Sequence, residues 1–247
     1  MTELLLIGIG TGNPDHVTAQ GAKAIREADL ILIPHKGENK ADLAGLREQI
    51  VTGLAPDNPP QIAYFDIPMR KSDDGYLRGV DEWHDAIAAR WSAAMATRPD
   101  ARKVALLIWG DPSLYDSSLR IASRLDPAPD IRVIPGITAI QALTAAHSIP
   151  VNEVGAPYVV TTGRRLRDEG LPPQSDTTVV MLDGDCSFRN LDMAGLEIWW
   201  GAYVGMDNEI LISGTLSEVA QRIVDTRERA RSEHGWIMDV YLLRRIR

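Results

Sequence analysis

Three glycine-bearing turns carry the residue pattern most suited to chemistry. Gly8-Ile9-Gly10-Thr11-Gly12-Asn13-Pro14-Asp15 follows the apolar run Leu4-Leu5-Leu6-Ile7. Gly110-Asp111-Pro112 follows the apolar stretch 104–108, and Pro135-Gly136-Ile137-Thr138-Ala139 follows the stretch 131–134. Glycine allows positive φ and close approach of the backbone to a ligand. Open α/β sheets bind ligands at the C-terminal ends of their strands. Asp111 can accept from an amine or a hydroxyl while Pro112 stiffens its turn; read alone, the same residues make a helix N-cap. The small residues of the third turn leave room for a flat ring or a ribose; read alone, they are a tight turn before a threonine-capped helix. Three such turns at strand ends of one sheet point to a small-molecule site more strongly than any one of them.

The first turn invites a dinucleotide-binding reading, which fails two tests. The fingerprint wants a third glycine where this chain has Asn13, and an acidic residue at the end of the second strand. Asp29 stands before that strand, which ends at Pro34. A purely structural glycine turn stays open. The five histidines (His16, His35, His84, His147 and His234) are scattered. No metal-ligand spacing and no Ser-His-Asp order stands out, so no metal site is expected.

These turns need elements to hold them. Residues 4–7 and 30–33 read as strands buried on both faces, with helical spacing over 17–28 between them, a βαβ unit. Further helices are expected over 41–51 and 77–96, with a short strand at 62–67 between them; in the second helix Trp83, Ile87, Trp91 and Met95 share one face. That stripe reads as core packing. After the strand at 104–108 a helix is expected over 117–125, and after the strand at 131–134 another over 138–147. Strands at 158–162, 177–182, 198–204 and 240–243 and a helix over 216–231 complete the pattern. The expectation is an α/β protein of two domains, residues 1–150 with a mainly parallel sheet and 151–247 with a mixed one.

Bulk properties set limits. Of 247 residues, 45% are hydrophobic and 24% charged, the balance of a globular protein. No apolar run approaches the roughly 18 residues of a membrane span. The N-terminal run lacks a basic leader and a cleavage site, so it does not read as a signal peptide. One cysteine, Cys186, fits a reducing, cytoplasmic setting. The net charge of −8 argues against a general nucleic-acid-binding surface.

In order and spacing, the three turns resemble the tetrapyrrole methylase family. Gly8 to Asn13 looks like the family's G-x-G-P-G motif with Thr11 in place of proline. Gly110-Asp111-Pro112 looks like its G-D-P loop, and Pro135 to Ala139 like its P-G-[VI]-[ST]-[AS] turn. The segment 208–216, closing in Ser213-Gly214-Thr215-Leu216, is similar to its late motif. Within the family the chain looks most like the deacetylating branch that methylates C1 of precorrin-5, judging from the threonine variant, the long stretch 36–102 and Trp199-Trp200-Gly201-Ala202-Tyr203.

The resemblance implies two α/β domains with S-adenosylmethionine in the cleft between them, S-adenosylhomocysteine as product, and a homodimer. It implies cofactor contacts at Trp109, Gly110, Asp111, Leu114, Ile137, Thr138, Ala139, Leu182, Asp183, Val204 and Gly205; relatives often carry methionine at the position of Asp183. The first glycine loop, with Gly10, Thr11 and Gly12, would line the substrate trough. A carboxylate-rich tetrapyrrole would be held by arginines, with Arg70, Arg164 and Arg165 as candidates in expected loops. Some relatives place a catalytic aspartate after the second strand. Here that stretch reads Ile33-Pro34-His35-Lys36, which makes His35 the first candidate base and leaves Asp15 and Asp111 behind it. Rival readings are a same-fold methyltransferase acting on another tetrapyrrole position, a protein or an RNA; a non-catalytic cofactor binder; and a nucleotide-dependent oxidoreductase.

Overall fold

In the computed structural model, which describes residues 2–35, 41–69 and 76–246, the chain divides into two compact units, Met1–Thr138 and Ala139–Arg247. The first unit carries a parallel sheet of five strands: β1 (Glu3–Gly8), β2 (Leu30–His35), β3 (Gln61–Asp66), β4 (Lys103–Ile108) and β5 (Asp130–Ile134), in the order β3-β2-β4-β1-β5. Its helices are α1 (Ala19–Glu27), α2 (Ala41–Leu54), α3 (Tyr76–Met95) and α4 (Ser118–Ala122).

The period-2 geometry of a strand splits the β1 run between two cores. Leu4 and Leu6 pack with Leu30, Leu32, Trp91 and Ile121, the α3 and α4 side. Leu5 and Ile7 pack with Ile25, Ile31, Ile50 and Val51, the α1 and α2 side. That is why these strands read as unbroken apolar runs. Each such fully buried aliphatic side chain contributes about 2 kcal/mol. The expected tryptophan stripe holds: Trp91 is buried and meets Phe65 edge-on at 6.2 Å.

Local signals set the element ends. Thr18 caps α1, its Oγ1 accepting from Gly21 N at 3.0 Å. Asp29 Oδ2 accepts from the N–H groups of Arg102 and Lys103, both at 2.9 Å, and ties the start of β2 to the start of β4. β1 pairs with β4 as far as Gly8 and Ile108, but β2 pairs with β4 only as far as Leu32 and Leu106. Beyond that point the two strand ends part.

The second unit holds α5 (Ala139–Ala146), β6 (Tyr158–Thr162), α6 (Gly163–Glu169), β7 (Thr177–Met181), β8 (Leu196–Ala202), β9 (Ile210–Thr215), α7 (Leu216–His234) and β10 (Asp239–Arg245). Its sheet order is β6-β7-β10-β8-β9; β6 and β7 are parallel and the other pairings antiparallel, so the sheet is mixed as expected. Helix α5 packs on β8 and β10 and therefore goes with this unit, although the turn before it closes the first. Two elements differ from the sequence reading. Residues 163–169, expected as a loop, are helix α6, capped by Thr162. The segment 210–215 is an edge strand paired to β8.

Candidate functional site

Because β1, β2, β4 and β5 are parallel, their C-terminal ends share one edge of the first sheet, and there the three turns meet. Gly110 N donates to Gly10 O at 2.7 Å, and Gly10 N to Gly110 O at 3.3 Å. A Cβ at Gly136 would stand 2.1 Å from Gly110 O and 2.7 Å from Gly8 C; one at Gly8 would stand 2.6 Å from Gly136 N. At these two positions glycine is required because one turn lies on the next. Gly10 has φ +73° and Gly110 φ +64°, values that favour glycine for conformational reasons.

Asp111 fastens the second turn to the third. Its Oδ2 accepts from Gly136 N at 2.9 Å, and its Oδ1 accepts from Ser113 N at 2.8 Å and from the Ser113 hydroxyl. Burial raises its pKa, but these hydrogen bonds outweigh burial and hold the carboxyl below its ordinary value. Such a carboxylate is a poor proton acceptor and a good pin; the geometry gives Asp111 a positional task.

The remaining candidates of the first unit lie along the same edge. His35 ends β2, exposed, with Nδ1 3.7 Å from Asp66 Oδ1. Asp15 is exposed in a short 3-10 turn, where its N–H donates to Asn13 Oδ1. Thr11 is buried, with its hydroxyl 2.9 Å from His16 Nδ1, and Gly12 has φ +113°. Leu114 N donates to Asp111 O, and Trp109, Ile137 and Thr138 are half-buried. Arg70 lies outside the described residues.

The second sheet also gathers its candidates at one edge. β6, β7 and β8 run in the same sense, so Thr162, which ends β6, and Leu182 and Tyr203, which follow β7 and β8, lie on one side. Leu182 is 67% exposed at φ +54°, an unusual backbone for a branched apolar residue. Val204 is buried, and Gly205, at φ +84°, donates its N–H to Glu209 Oε2. Ala139, first residue of α5, is half-buried. Arg165 pairs with Glu169 one turn along α6, and Arg164 is exposed on the same helix.

Asp183 is a buried knot. Its carboxylate accepts from Ser187 N at 2.6 Å, Ser187 Oγ at 2.8 Å, Asp185 N at 3.1 Å and Tyr241 Oη at 2.6 Å. Its backbone carbonyl accepts from Arg227 Nη2 at 3.1 Å. Gly163 packs so closely on it that a Cβ there would meet the carboxyl carbon at 2.3 Å. All these groups face the protein, so Asp183 supports the exposed Leu182 beside it. Arg227 also pairs with Asp239 at 2.9 Å, and Trp200 Nε1 donates to the same Asp239 oxygen. Burial raises the Asp239 carboxyl, with Arg227 opposing. Burial also pushes Tyr241 well up, and the Cys186 thiol to about 11.

Several of these residues were not singled out from the sequence: Ser113, Ser187, Arg227, Asp239 and Tyr241, and with them Arg47, whose Nε donates to Leu107 O near the end of β4. For the arginines a signal existed. Arg227 sits on the apolar stripe Val219, Ile223, Val224, Ala230 of α7, and Arg47 on the stripe Ala44, Ile50, Val51 of α2. An arginine at a core position of an amphipathic helix marks a buried partner.

Among the described residues, no helix is long and apolar enough to cross a membrane, and no group of three or more His, Cys, Asp or Glu is arranged to hold a metal.

Comparison with known proteins agrees with this arrangement. The family model for tetrapyrrole (corrin/porphyrin) methylases matches residues 3–220. A precorrin-6A synthase [deacetylating] of Sinorhizobium sp is 44% identical over 251 residues, covering 99% of this chain and 96% of its own. A precorrin-2 C(20)-methyltransferase of Sinorhizobium sp is 30% identical over 176 residues, covering 66% and 69%. Among solved structures, the cobalamin-synthesis-related protein CobF of Corynebacterium diphtheriae matches with TM-score 0.83 and 36% identity over 100% of both chains. The uroporphyrin-III C-methyltransferase of Thermus thermophilus, solved with S-adenosylhomocysteine, shares the fold at TM-score 0.60 and 17% identity, covering 98% and 96%. The chain is a methyltransferase that belongs to the tetrapyrrole (corrin/porphyrin) methylases.

Proposed function

We propose that the protein uses S-adenosylmethionine to methylate C1 of precorrin-5, with loss of the acetyl group, to give precorrin-6A in corrin biosynthesis. The observation that carries this reading is the 44% identity to a precorrin-6A synthase over nearly the full length of both chains. The same reading makes it a cytoplasmic homodimer with a small tetrapyrrole substrate, without a nucleic-acid or membrane partner. A net charge of −8 and a single cysteine support it.

The residues present fit such a cofactor on each sheet separately. In the first unit, the half-buried turns at Gly110, Ile137 and Thr138 offer backbone groups and small side chains, with Asp111 fixing two turns together. In the second, exposed Leu182 offers an apolar surface beside the rigid Asp183 knot. Bound S-adenosylmethionine would supply an electrophilic methyl group on a sulfonium that is already a good leaving group. The protein then has chiefly to align the reactants and exclude water. Interlocked glycine turns and pinned carboxylates are rigid parts suited to that task. His35 takes the part of proton acceptor from the ring; its exposed ring at the end of β2 is open to a ligand.

Calorimetric titration of the purified protein with S-adenosylhomocysteine, with NADH as control, tests the cofactor. Binding of the first alone is expected, and binding of NADH alone or of neither ligand overturns the reading. Mass analysis of the product formed from precorrin-5 then tests whether methyl gain and acetyl loss occur together.

A further inference from the structure

We propose that Arg47 presents a carboxylate-binding group at the ligand edge of the first sheet, which takes a carboxylate of the tetrapyrrole or that of S-adenosylmethionine. This inference rests on the function proposed above.

Strands β2 and β4 part before β4 ends. Their pairing stops at Leu32 and Leu106 while β4 runs on beside β1. Carbonyls alternate sides along a strand. Ile108 O takes Ile9 N–H on the β1 side, so Leu107 O faces the gap left by β2. Arg47 fills that gap: its Nε donates to Leu107 O at 3.0 Å. Its Nη1 donates to Leu43 O, also at 3.0 Å, and its guanidinium lies 4.8 Å over the Trp109 ring. The group is thus clamped between α2 and the residue that leads into Gly110 and Asp111.

Its charge is not matched. Arg47 is only 7% exposed, and among the described residues no carboxylate lies within ion-pair distance of it. Asp116 acts on it only through space, and burial pushes its pKa down to about 10, so it stays charged at neutral pH. Two backbone carbonyls satisfy hydrogen bonds without supplying a negative charge. An unpaired buried cation is costly, and an apolar residue would fill a merely structural slot at less cost.

One corner of the group is left unbonded: Nη2 donates no hydrogen bond among the described residues. A guanidinium held on three sides, with one N–H group presented beside an aromatic ring, is preorganised for a carboxylate oxygen. In a chain of net charge −8, such a local cation is what an anionic ligand needs.

The test measures dissociation constants of wild type and R47Q for S-adenosylhomocysteine and for precorrin-5, with melting temperature as a check on folding. R47Q is expected to weaken one ligand by roughly tenfold and to spare the other. Loss for precorrin-5 assigns the carboxylate to the tetrapyrrole; loss for S-adenosylhomocysteine assigns it to the cofactor. A folded R47Q that binds both as wild type does overturns the inference and leaves the function standing. Wild type that binds neither overturns the function and the inference with it. If R47Q does not fold, R47K is read in the same way: it keeps the charge but loses the planar fork. A loss of about threefold or more is expected there, and unchanged binding counts against the proposal.

Discussion

At Gly136 the whole side chain matters, because there is no space for one. A Cβ would meet Gly110 O and the Gly8 backbone, atoms that move only if two other turns move. Gly136→Ala is expected to cost about 3 kcal/mol, the scale of overpacking against backbone, and to lower affinity for S-adenosylhomocysteine. The control is Gly45→Ala. Gly45 lies in α2 with nothing within 4 Å of its Cβ position, so alanine should stabilise by about 0.5–1 kcal/mol through helix propensity. Urea midpoints of both variants check the pair; equal midpoints would show that the turns do not press on one another. The residue types of this cluster were legible in the sequence, since three glycines at strand ends announce close backbone approach. Which atoms approach was not, because the closest partners are 26 and 128 residues apart in the chain.

Elements show a graded legibility with a physical basis. β1, β2 and β4 are buried on both faces and read as unbroken apolar runs; α3 has a clear stripe. Helix α6 has only seven residues, mostly charged, and owes its existence to a threonine cap and to Gly163 packing on Asp183. Neither contact is visible as periodicity. β9 is an edge strand with mixed exposure and a glycine at φ +146°, so its alternation is weak. The pair between α7 and β10 tests how elements are joined. Arg227→Met would leave the Asp239 carboxylate buried with Trp200 as its remaining side-chain donor. A loss of about 3–5 kcal/mol is expected, and adding Asp239→Asn should recover most of it. Burial already raises the Asp239 carboxyl, and removing Arg227 raises it further. Stability linked to a raised acid is present below the unfolded value and lost as pH rises through the folded one. The single variant should therefore regain stability as the pH falls from about 7 toward about 5. Urea melts at both pH values read this directly, and a pH-independent deficit would separate the damage from Asp239 ionisation.

For the molecule as a whole, acid stability collects the lowered carboxylates. Backbone N–H groups of Lys103 and Arg102 hold Asp29 below its ordinary value, and Asp111 is held down by hydrogen bonds that outweigh its burial. Exposed Glu27 and Asp100 are lowered by hydrogen bonds from Lys103 and Arg98. A lowered acid stabilises the fold above its unfolded pKa, about 4, and that contribution is lost as pH falls through the folded value. Asp239, shifted the other way, opposes this only above about pH 4. The melting temperature should thus fall steeply below about pH 4. Salt distinguishes the sources. It screens the exposed Glu27–Lys103 and Arg98–Asp100 pairs, but not the hydrogen bonds that Asp29 accepts from the amides joining β2 to β4. Asp29→Asn keeps an acceptor oxygen and removes the titration, so its acid limb should be shallower than wild type even in high salt. Calorimetric melts of both proteins across the acid range, at low and high salt, measure the difference. Parallel acid limbs would mean that the strand tie at Asp29 does not couple to pH, and would shift the acid sensitivity to Asp111 and the turns it fastens.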